Sequence, residues 1–496
     1  MGSKLKATGW ITAGVLTGAL ATVSVQTLAR NTTTPLPLDE LQQLAAVYGM
    51  VKHNYVEDAN DNKLISDAIK GMVSGLDPHS EYYDKKSYEE FKEGTSGKFV
   101  GLGIEITTED GVIKVVSPIE GTPADKAGIQ AGDLITRIDD KTVRGMSIGE
   151  AVKRMRGKAN TQVTLTISRK SENRVFPVTI TRAEIRTQSV RGKMVEPGYA
   201  WIRISQFQER TVADFAKKVE EIYKENPNLK GIVLDLRNDP GGLLDAAVAI
   251  SAAFLPQGVP VVSTKGQLPE SNTVYKAIPQ DYAAVTTNGD PLSNLPAALK
   301  NVPIVVLVNQ GSASASEIVA GALQDHKRAT IMGIQTFGKG SVQTVRPLTR
   351  DTALKITTAR YYTPNGTSIQ AQGVIPDIMV DETAQGSPYA ALSMRESDLD
   401  HHISNDSVAQ LSPAEEKARA KEREAALERF NEQMKKDPDS VKQPEFGSDK
   451  DFQLQQALNK LKGQPVQVSK TLQAVRKNVS KDKADAASAP QSPASK

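Results

Sequence analysis

One junction constrains this chain more than any other. The apolar, β-branched run Ile304-Val305-Val306-Leu307-Val308 leads into Gly311-Ser312-Ala313-Ser314-Ala315-Ser316-Glu317, and Ile318-Val319-Ala320-Gly321-Ala322-Leu323 follows. The first run reads as a buried strand, and the last has apolar residues at helical spacing. Small residues therefore sit where a strand turns into a helix. A serine there is lifted out of the sheet, and its neighbours' backbone N–H groups point at whatever its oxygen attacks, the geometry of a strand–turn–helix nucleophile elbow. Farther on come Thr336-Phe337-Gly338-Lys339-Gly340 and then Gln343. A serine at such a junction and a lysine in an apolar, glycine-flanked turn suggest a Ser–Lys dyad.

Plainer readings compete. Ser314 and Glu317 form an S-x-x-E capping box, so Ser314 could simply cap the helix. Lys339 could be a surface lysine. Gly333 to Lys339 matches G-x-x-x-x-G-K, the start of a phosphate-binding loop. Against that, Gly340 stands where Ser or Thr is required, and Ser341 to Pro347 reads as a strand, whereas such a loop must open a helix. His326 invites a Ser–His pair, but it sits in the polar helix end Gln324-Asp325-His326-Lys327-Arg328.

The junction resembles that of the C-terminal processing peptidases, or tail-specific proteases, a serine peptidase family with a Ser–Lys dyad. The likeness rests on Ser312 to Ile318, Gln324-Asp325, Arg328-Ala329, Thr336 to Gln343, Thr358 to Gly366 and Gly373-Val374-Ile375-Pro376-Asp377. It implies that Ser314 is the nucleophile, Lys339 the general base and Gln343 the residue that orients Lys339. A free lysine has a pKa of about 10.4, and a base at neutral pH needs about 7–8. Desolvation can supply the shift, with Phe337, Val342 and the small residues around Ser314 as the wall.

The chain has 496 residues, enough for two or three domains, and a net charge of +3, too small to argue for nucleic acid. It has no cysteine, so disulfide, thiolate and lipoprotein-type anchoring chemistry are excluded. His53, His79, His326, His401 and His402 are scattered without zinc-site spacing. Neither metal nor cofactor is expected.

Residues 1–34 read as a signal peptide or membrane anchor, the anchor being preferred. Lys4 and Lys6 precede an uncharged segment from Ala7 to Ala29, which as a helix would span a bilayer core of about 30 Å. The rest of the chain would be exported, to the periplasm in a Gram-negative source. Residues 35–95 read as a helical segment, with Leu38, Leu41, Leu44, Ala45, Tyr48 and Val51 at helical spacing, and end beyond Gly75-Leu76-Asp77-Pro78-His79-Ser80. The resemblance implies that this segment packs on the protease core and often dimerises.

Residues 96–184 resemble a PDZ domain. Phe99-Val100-Gly101-Leu102-Gly103-Ile104 is similar to its carboxylate-binding loop, where glycines let backbone N–H groups converge on an anion. Ile104 to Thr107 would be the edge strand that a substrate tail extends. Arg156-Gly157-Lys158-Ala159-Asn160 departs from the usual Pro-Gly and predicts a looser turn. Residues 185–383 alternate strands and helices, and the resemblance implies a crotonase- or ClpP-like α/β protease core. Asn238-Asp239-Pro240-Gly241-Gly242 repeats the strand, glycine turn, helix arrangement. By resemblance, the N–H of Ala315 and that of Gly241 or Gly242 form the oxyanion hole.

Residues 384–496 read as a charged helical region with a disordered tail after Ser480. Within it, Phe452, Leu454, Ala457, Leu458 and Leu461 form a short amphipathic helix suited to docking on the body or on a partner. The expected whole is a multidomain α/β serine endopeptidase with helical N- and C-terminal segments. Its partners would be protein or peptide substrates held by their C-termini and further copies of itself. The resemblance also allows an adaptor protein.

Overall fold

Fully apolar strands need cover on both faces, and that requirement shapes the core. The computed structural model describes residues 36–109, 111–282, 289–384, 386–387, 394–405, 413–437 and 445–469. The segment Ala7 to Ala29 and the tail after Ser480 lie outside them. The chain divides into two compact units, Met1–Gly71 and Met72–Lys496. Among the described residues no helix is long and apolar enough to cross a membrane.

The first unit holds α1 (Leu38–Asn54) and the start of α2 (Asp61–Ser74). No residue of α1 is buried, and Leu38, Leu41, Leu44, Val47 and Met50 are exposed.

In the second unit, β1 (Glu81–Tyr83) and α3 (Lys85–Ser96) precede a module that begins with β2 (Lys98–Gly101), β3 (Ile104–Glu109) and β4 (Val112–Pro118). Then come α4 (Pro123–Lys126), β5 (Leu134–Ile138), β6 (Lys141–Thr142), α5 (Ile148–Met155), β7 (Gln162–Arg169), β8 (Arg174–Thr181) and β9 (Ala183–Arg186). Its main sheet runs β3-β4-β5-β7-β8, which leaves β3 at an edge, while β2 pairs with β9. Alternating inward residues such as Val163, Leu165 and Ile167 build its own apolar core. The turn after α5 is not loose. The buried Arg182 donates to the carbonyls of Arg154, Met155 and Gln162 and to the Thr161 hydroxyl, clamping the helix end. That clamp comes from a residue far down the chain, which the turn's own composition does not reveal.

The core sheet runs β10 (Val190–Glu196), β11 (Tyr199–Ile204), β12 (Gly231–Asp235), β15 (Ile304–Val308), β16 (Thr330–Gly333), β19 (Ile378–Met379). All its pairs are parallel except β10–β11. Every residue of β12 and β15 is buried, which explains their unbroken apolar runs. Helices α6 (Thr211–Glu225), α7 (Leu244–Phe254) and α9 (Ala315–Asp325) contribute to one large apolar cluster with these strands. A second sheet holds β13 (Pro260–Gly266), β14 (Thr273–Lys276), β17 (Ser341–Pro347) and β18 (Ala353–Tyr362), with a short helix α8 (Pro279–Tyr282) near its edge.

The core reaches beyond 185–383 at both ends. Before the PDZ-like module, β1 already pairs with β18, from Glu81 opposite Lys355 to Tyr83 opposite Ala353. The module is thus an insertion between two core strands. At the other end, past the long charged helix α10 (Pro413–Lys436), helix α11 (Phe452–Leu461) buries Leu454, Ala457 and Leu458 against Val233, Val305 and Leu307 of the sheet. The docking partner of that amphipathic stripe is therefore the chain's own body.

Arg237, almost fully buried at the end of β12, fixes this dock. It pairs with Asp235 at 2.6 Å and with Asp451 at 2.6 Å, under the ring of Phe446. Removing one partner from a buried pair leaves an uncompensated charge. Asp451→Ala is therefore expected to lower stability by about 3–5 kcal/mol. The check is the urea unfolding midpoint, and an unchanged midpoint would show that the Arg237–Asp451 pair does not hold this dock.

Candidate active site

Parallel strands β12 and β15 end side by side, so the loops leaving them meet. Asn238 and Asn309 bind each other, N–H to Oδ1 at 2.8 Å and Nδ2 to Oδ1 at 2.7 Å. The Ala313 N–H donates to the Asp239 carbonyl at 2.9 Å. Ser312 and Ser316 are both fully buried and serve as ties. Ser312 Oγ donates to the Leu236 carbonyl at 2.7 Å, and Ser316 Oγ donates to the Asp239 carbonyl at 2.9 Å. With both hydroxyls committed inside the fold, Ser316→Ala should leave measurable activity in a peptide-cleavage assay.

Ser314 is different. It is partly exposed, and its backbone sits at φ +55°, ψ −112°. A non-glycine residue there costs about 1–3 kcal/mol and persists only where its surroundings over-determine it. Here the restraint is Glu317, one turn into α9. Its fully buried carboxylate accepts the Ser314 N–H at 2.8 Å and, on the same oxygen, the Lys339 N–H at 2.9 Å. Its other oxygen accepts the Gly338 N–H at 2.7 Å and the Thr336 hydroxyl at 2.5 Å. The glycine–lysine turn therefore cradles an anion, but the anion is the protein's own Glu317. No helix follows Lys339, as the strand β17 already implied, and the phosphate-loop reading falls. Glu317 is more than a capping partner: one carboxylate draws positions 314 and 339 together. Burial pushes its acid up to about 7, against the pull of those four bonds.

The Lys339 amine donates to Gln343 Oε1 at 2.5 Å. Burial lowers it to about 8; Glu396 draws it up, Lys355 pushes it down, and Glu317 and Asp77 draw it up. Among the described residues no hydrogen bond joins this amine to Ser314 Oγ. Tyr361 spans the two positions instead, its hydroxyl donating to the Lys339 carbonyl and meeting the Ser314 side chain. Gln343 lies on β17 next to a bulge, with Gln343 opposite Thr357 and Val342 opposite Ala359.

The glycine pair is held by close backbone approach. A Cβ on Gly241 would lie 2.6 Å from the Ala313 carbonyl oxygen and 2.8 Å from the Ala315 nitrogen, and one on Gly242 would lie 2.0 Å from the Phe207 oxygen. The Gly241 N–H is occupied by the Asp239 carboxylate at 2.9 Å. Among the described residues the N–H groups of Ala315 and Gly242 have no acceptor within the chain. Asp239 itself is fully buried, its Oδ2 has no partner among the described residues, and burial pushes its acid up to about 8.

His326 caps the far end of α9, about 18 Å from Ser314 at 1.5 Å per residue, and meets the Pro260 carbonyl at 2.7 Å. His326→Gln is expected to cleave peptides at the wild-type rate; an inactive but folded variant would reopen the Ser–His reading.

In the inserted module, the carbonyls of Leu102 and Gly103 are taken by the N–H groups of Ala124 and Ile119. Their own N–H groups have no acceptor among the described residues. Gly101 and Ile104 flank them as the last residue of β2 and the first of the edge strand β3. Among the described residues no cluster of side chains is suited to a metal ion.

Sequence reasoning underrated Glu317 and passed over Tyr361, Asp239 and Glu396. The S-x-x-E spacing was the one available signal for Glu317.

Residues 198–380 match peptidase family S41, residues 114–169 a PDZ domain, and residues 10–87 the N-terminal domain of the activating protease CtpB. The chain is 45% identical over 370 residues to a carboxy-terminal-processing protease of Bartonella bacilliformis, covering 74% of this chain and 81% of that protein. It is 40% identical over 343 residues to a probable CtpA-like serine protease of Staphylococcus aureus, covering 69% of this chain and 65% of that one. Among solved structures, a photosystem II D1 C-terminal processing protease aligns at 31% identity over 66% of this chain and 84% of its own, with a TM-score of 0.39.

Proposed function

The chain belongs to peptidase family S41 as a C-terminal processing serine peptidase with a PDZ domain, and from that premise we propose that it cleaves exported proteins near their C-termini with a Ser314–Lys339 dyad. The observation that carries the dyad is the shared Glu317 oxygen, which ties the backbones of both residues into one corner. The amine then closes on the hydroxyl when substrate binds, a tightening common between free and substrate-bound sites.

Neutral Lys339 takes the Ser314 proton as Oγ attacks the scissile carbonyl. The N–H groups of Ala315 and Gly242 hold the oxyanion; Gly242 is preferred to Gly241 because its N–H is uncommitted. The lysine ammonium gives its proton to the leaving amine, and the peptide C–N bond breaks to leave an acyl ester on Ser314. Water, deprotonated by the same amine, then releases the new C-terminus. Gln343 orients the amine throughout.

The PDZ domain takes the substrate's terminal carboxylate on the N–H groups of the Gly101-Leu102-Gly103-Ile104 loop, and the tail adds to β3 as an extra strand. The exposed apolar face of α1 supports self-association, and the family likeness leaves room for an adaptor. The uncharged run Ala7 to Ala29 behind Lys4 and Lys6 supports export to the periplasm with an inner-membrane anchor.

The test is a peptide with a free apolar C-terminus. Wild type should cut it, Ser314→Ala should not, and amidating the C-terminus should raise KM. Cutting by folded Ser314→Ala would remove the serine from the mechanism. An unchanged KM for the amide would remove the carboxylate loop from recognition.

A further inference from the structure

The Gly75-Leu76-Asp77-Pro78-His79-Ser80 segment lies outside the protease domain that the sequence suggests, yet its carboxylate ends in the active site. Asp77 is 4% exposed. One of its oxygens accepts the N–H groups of His79 at 2.8 Å and Ser80 at 2.9 Å and the hydroxyl of Thr357 at 3.0 Å. The other accepts the Ser80 hydroxyl at 2.6 Å. Thr357 Oγ1 in turn accepts Gln343 Nε2 at 3.3 Å, and Gln343 Oε1 accepts the Lys339 amine. Pairing of β1 with β18 and the bulge beside Gln343 bring the three side chains into line.

The direction of this chain is fixed from one end. An ionised carboxylate can only accept. Thr357 must therefore point its proton at Asp77, which leaves only lone pairs toward Gln343. The amide must then turn its NH2 to Thr357 and its oxygen to Lys339. Ser341 Oγ, at 2.9 Å from Nε2, agrees with that orientation but as a hydroxyl could equally donate.

We propose that Asp77, through Thr357, is a positioning residue that sets the orientation of the Gln343 amide and so aims the Lys339 lone pair at Ser314. The inference rests on the Ser–Lys reading above. With the amide reversed, its N–H would occupy the amine's lone pair and the base would be lost. Burial would raise the Asp77 acid, but the bonds from Ser80, His79 and Thr357 outweigh it and hold it below its ordinary value, so it is ionised wherever Lys339 works as a base.

The test is peptide cleavage by Asp77→Ala, Thr357→Val and Thr357→Ser, each alone and with Gln343→Ala, with the folded fraction measured by near-UV circular dichroism. Alanine is used because asparagine would keep an acceptor oxygen for Thr357 and turn its NH2 to the Ser80 hydroxyl. Asp77→Ala and Thr357→Val should lower kcat by about tenfold to a hundredfold with KM little changed, and Thr357→Ser should recover most of the loss. In the Gln343→Ala background the first two should cost nothing further. The acid limb of the pH–kcat profile should move to lower pH in Asp77→Ala. Glu396, Lys355 and Glu317 also act on Lys339 and stay in place. Thr357→Val changes no charge, so a matching rate loss there separates the relay from the field of Asp77.

Equal losses with and without Gln343, or unaltered kcat in folded Asp77→Ala, would overturn the relay. If Lys339→Ala still cleaves, the dyad reading fails first. If Lys339→Ala is dead and Asp77→Ala is normal, only the relay fails.

Discussion

Lys339→Met is expected to abolish peptide cleavage while making the protein harder to unfold. Removing one member of a catalytic serine–base pair commonly costs about 10⁴-fold or more in kcat. The stability gain follows from the same property that makes the residue a base. Its amine lies at about 8 in the folded chain against 10.5 for the free group. Between those values the unfolded chain binds more protons, so wild-type stability rises with pH through that window. Below about 8 the folded state must hold a charged, largely enclosed amine, which costs on the order of 1–3 kcal/mol once partial exposure and the bond to Gln343 are discounted. Methionine fills the space without the charge. The variant should therefore melt higher than wild type near neutral pH, and the rise of stability between pH 8 and 10 should flatten. Cleavage by a folded Lys339→Met protein would remove the lysine from the mechanism. Lower melting with the alkaline rise intact would mean that the amine is not held against its hydration.

How much of this site could be read from sequence depends on how far apart the contacting residues lie. The junction at Ser314 is local: strand, small residues and helix follow one another, and the structure places the serine in a positive-φ backbone that such an elbow needs. The PDZ loop and its edge strand are local too. The resemblance paired Lys339 with Gln343, and the amine does bond that side chain, although the bulge at Gln343 is what aligns it with Thr357. What stayed hidden depends on closures between distant segments. Glu317 looks like a helix cap until residues 336 to 339 fold back onto it. Asp77 looks like turn chemistry until β1 joins β18. The glycine pair could not be separated by sequence because its difference lies in which N–H the Asp239 side chain occupies. Helix α11 showed its apolar stripe plainly, but the buried Arg237 that needs Asp451 lies more than two hundred residues upstream.

Glu317→Gln is the sharpest test of whether one carboxylate assembles the site. The exchange keeps size and shape and changes only what the two oxygens can do. Four donors converge on Glu317: the backbone N–H groups of Ser314, Gly338 and Lys339 and the Thr336 hydroxyl. A glutamine supplies one acceptor oxygen and one NH2, so two donors must face an amide that also donates. The least costly orientation keeps the oxygen on Ser314 and Lys339 and turns NH2 toward Thr336, whose hydroxyl can rotate, leaving the Gly338 N–H unmet. One unmet buried donor costs about 1–3 kcal/mol. The opposite orientation leaves Ser314 and Lys339 unmet, releases the strained serine backbone and lets the two residues part. Even in the favoured orientation a neutral amide oxygen holds the Ser314 and Lys339 N–H groups more weakly than a carboxylate does, so the expected result is a folded protein with kcat reduced by about tenfold to a hundredfold. Its pH behaviour carries a second signature. The Glu317 acid is raised from 4.5 to about 7, so between those values the folded state binds more protons than the unfolded one. This carboxyl therefore stabilises the fold at low pH, and that contribution is lost as pH rises through 7. In Glu317→Gln that component of the pH dependence should vanish, while the parallel contribution of Asp239 should remain. Wild-type kcat together with a wild-type stability profile would show that Ser314 and Lys339 meet without the carboxylate between them.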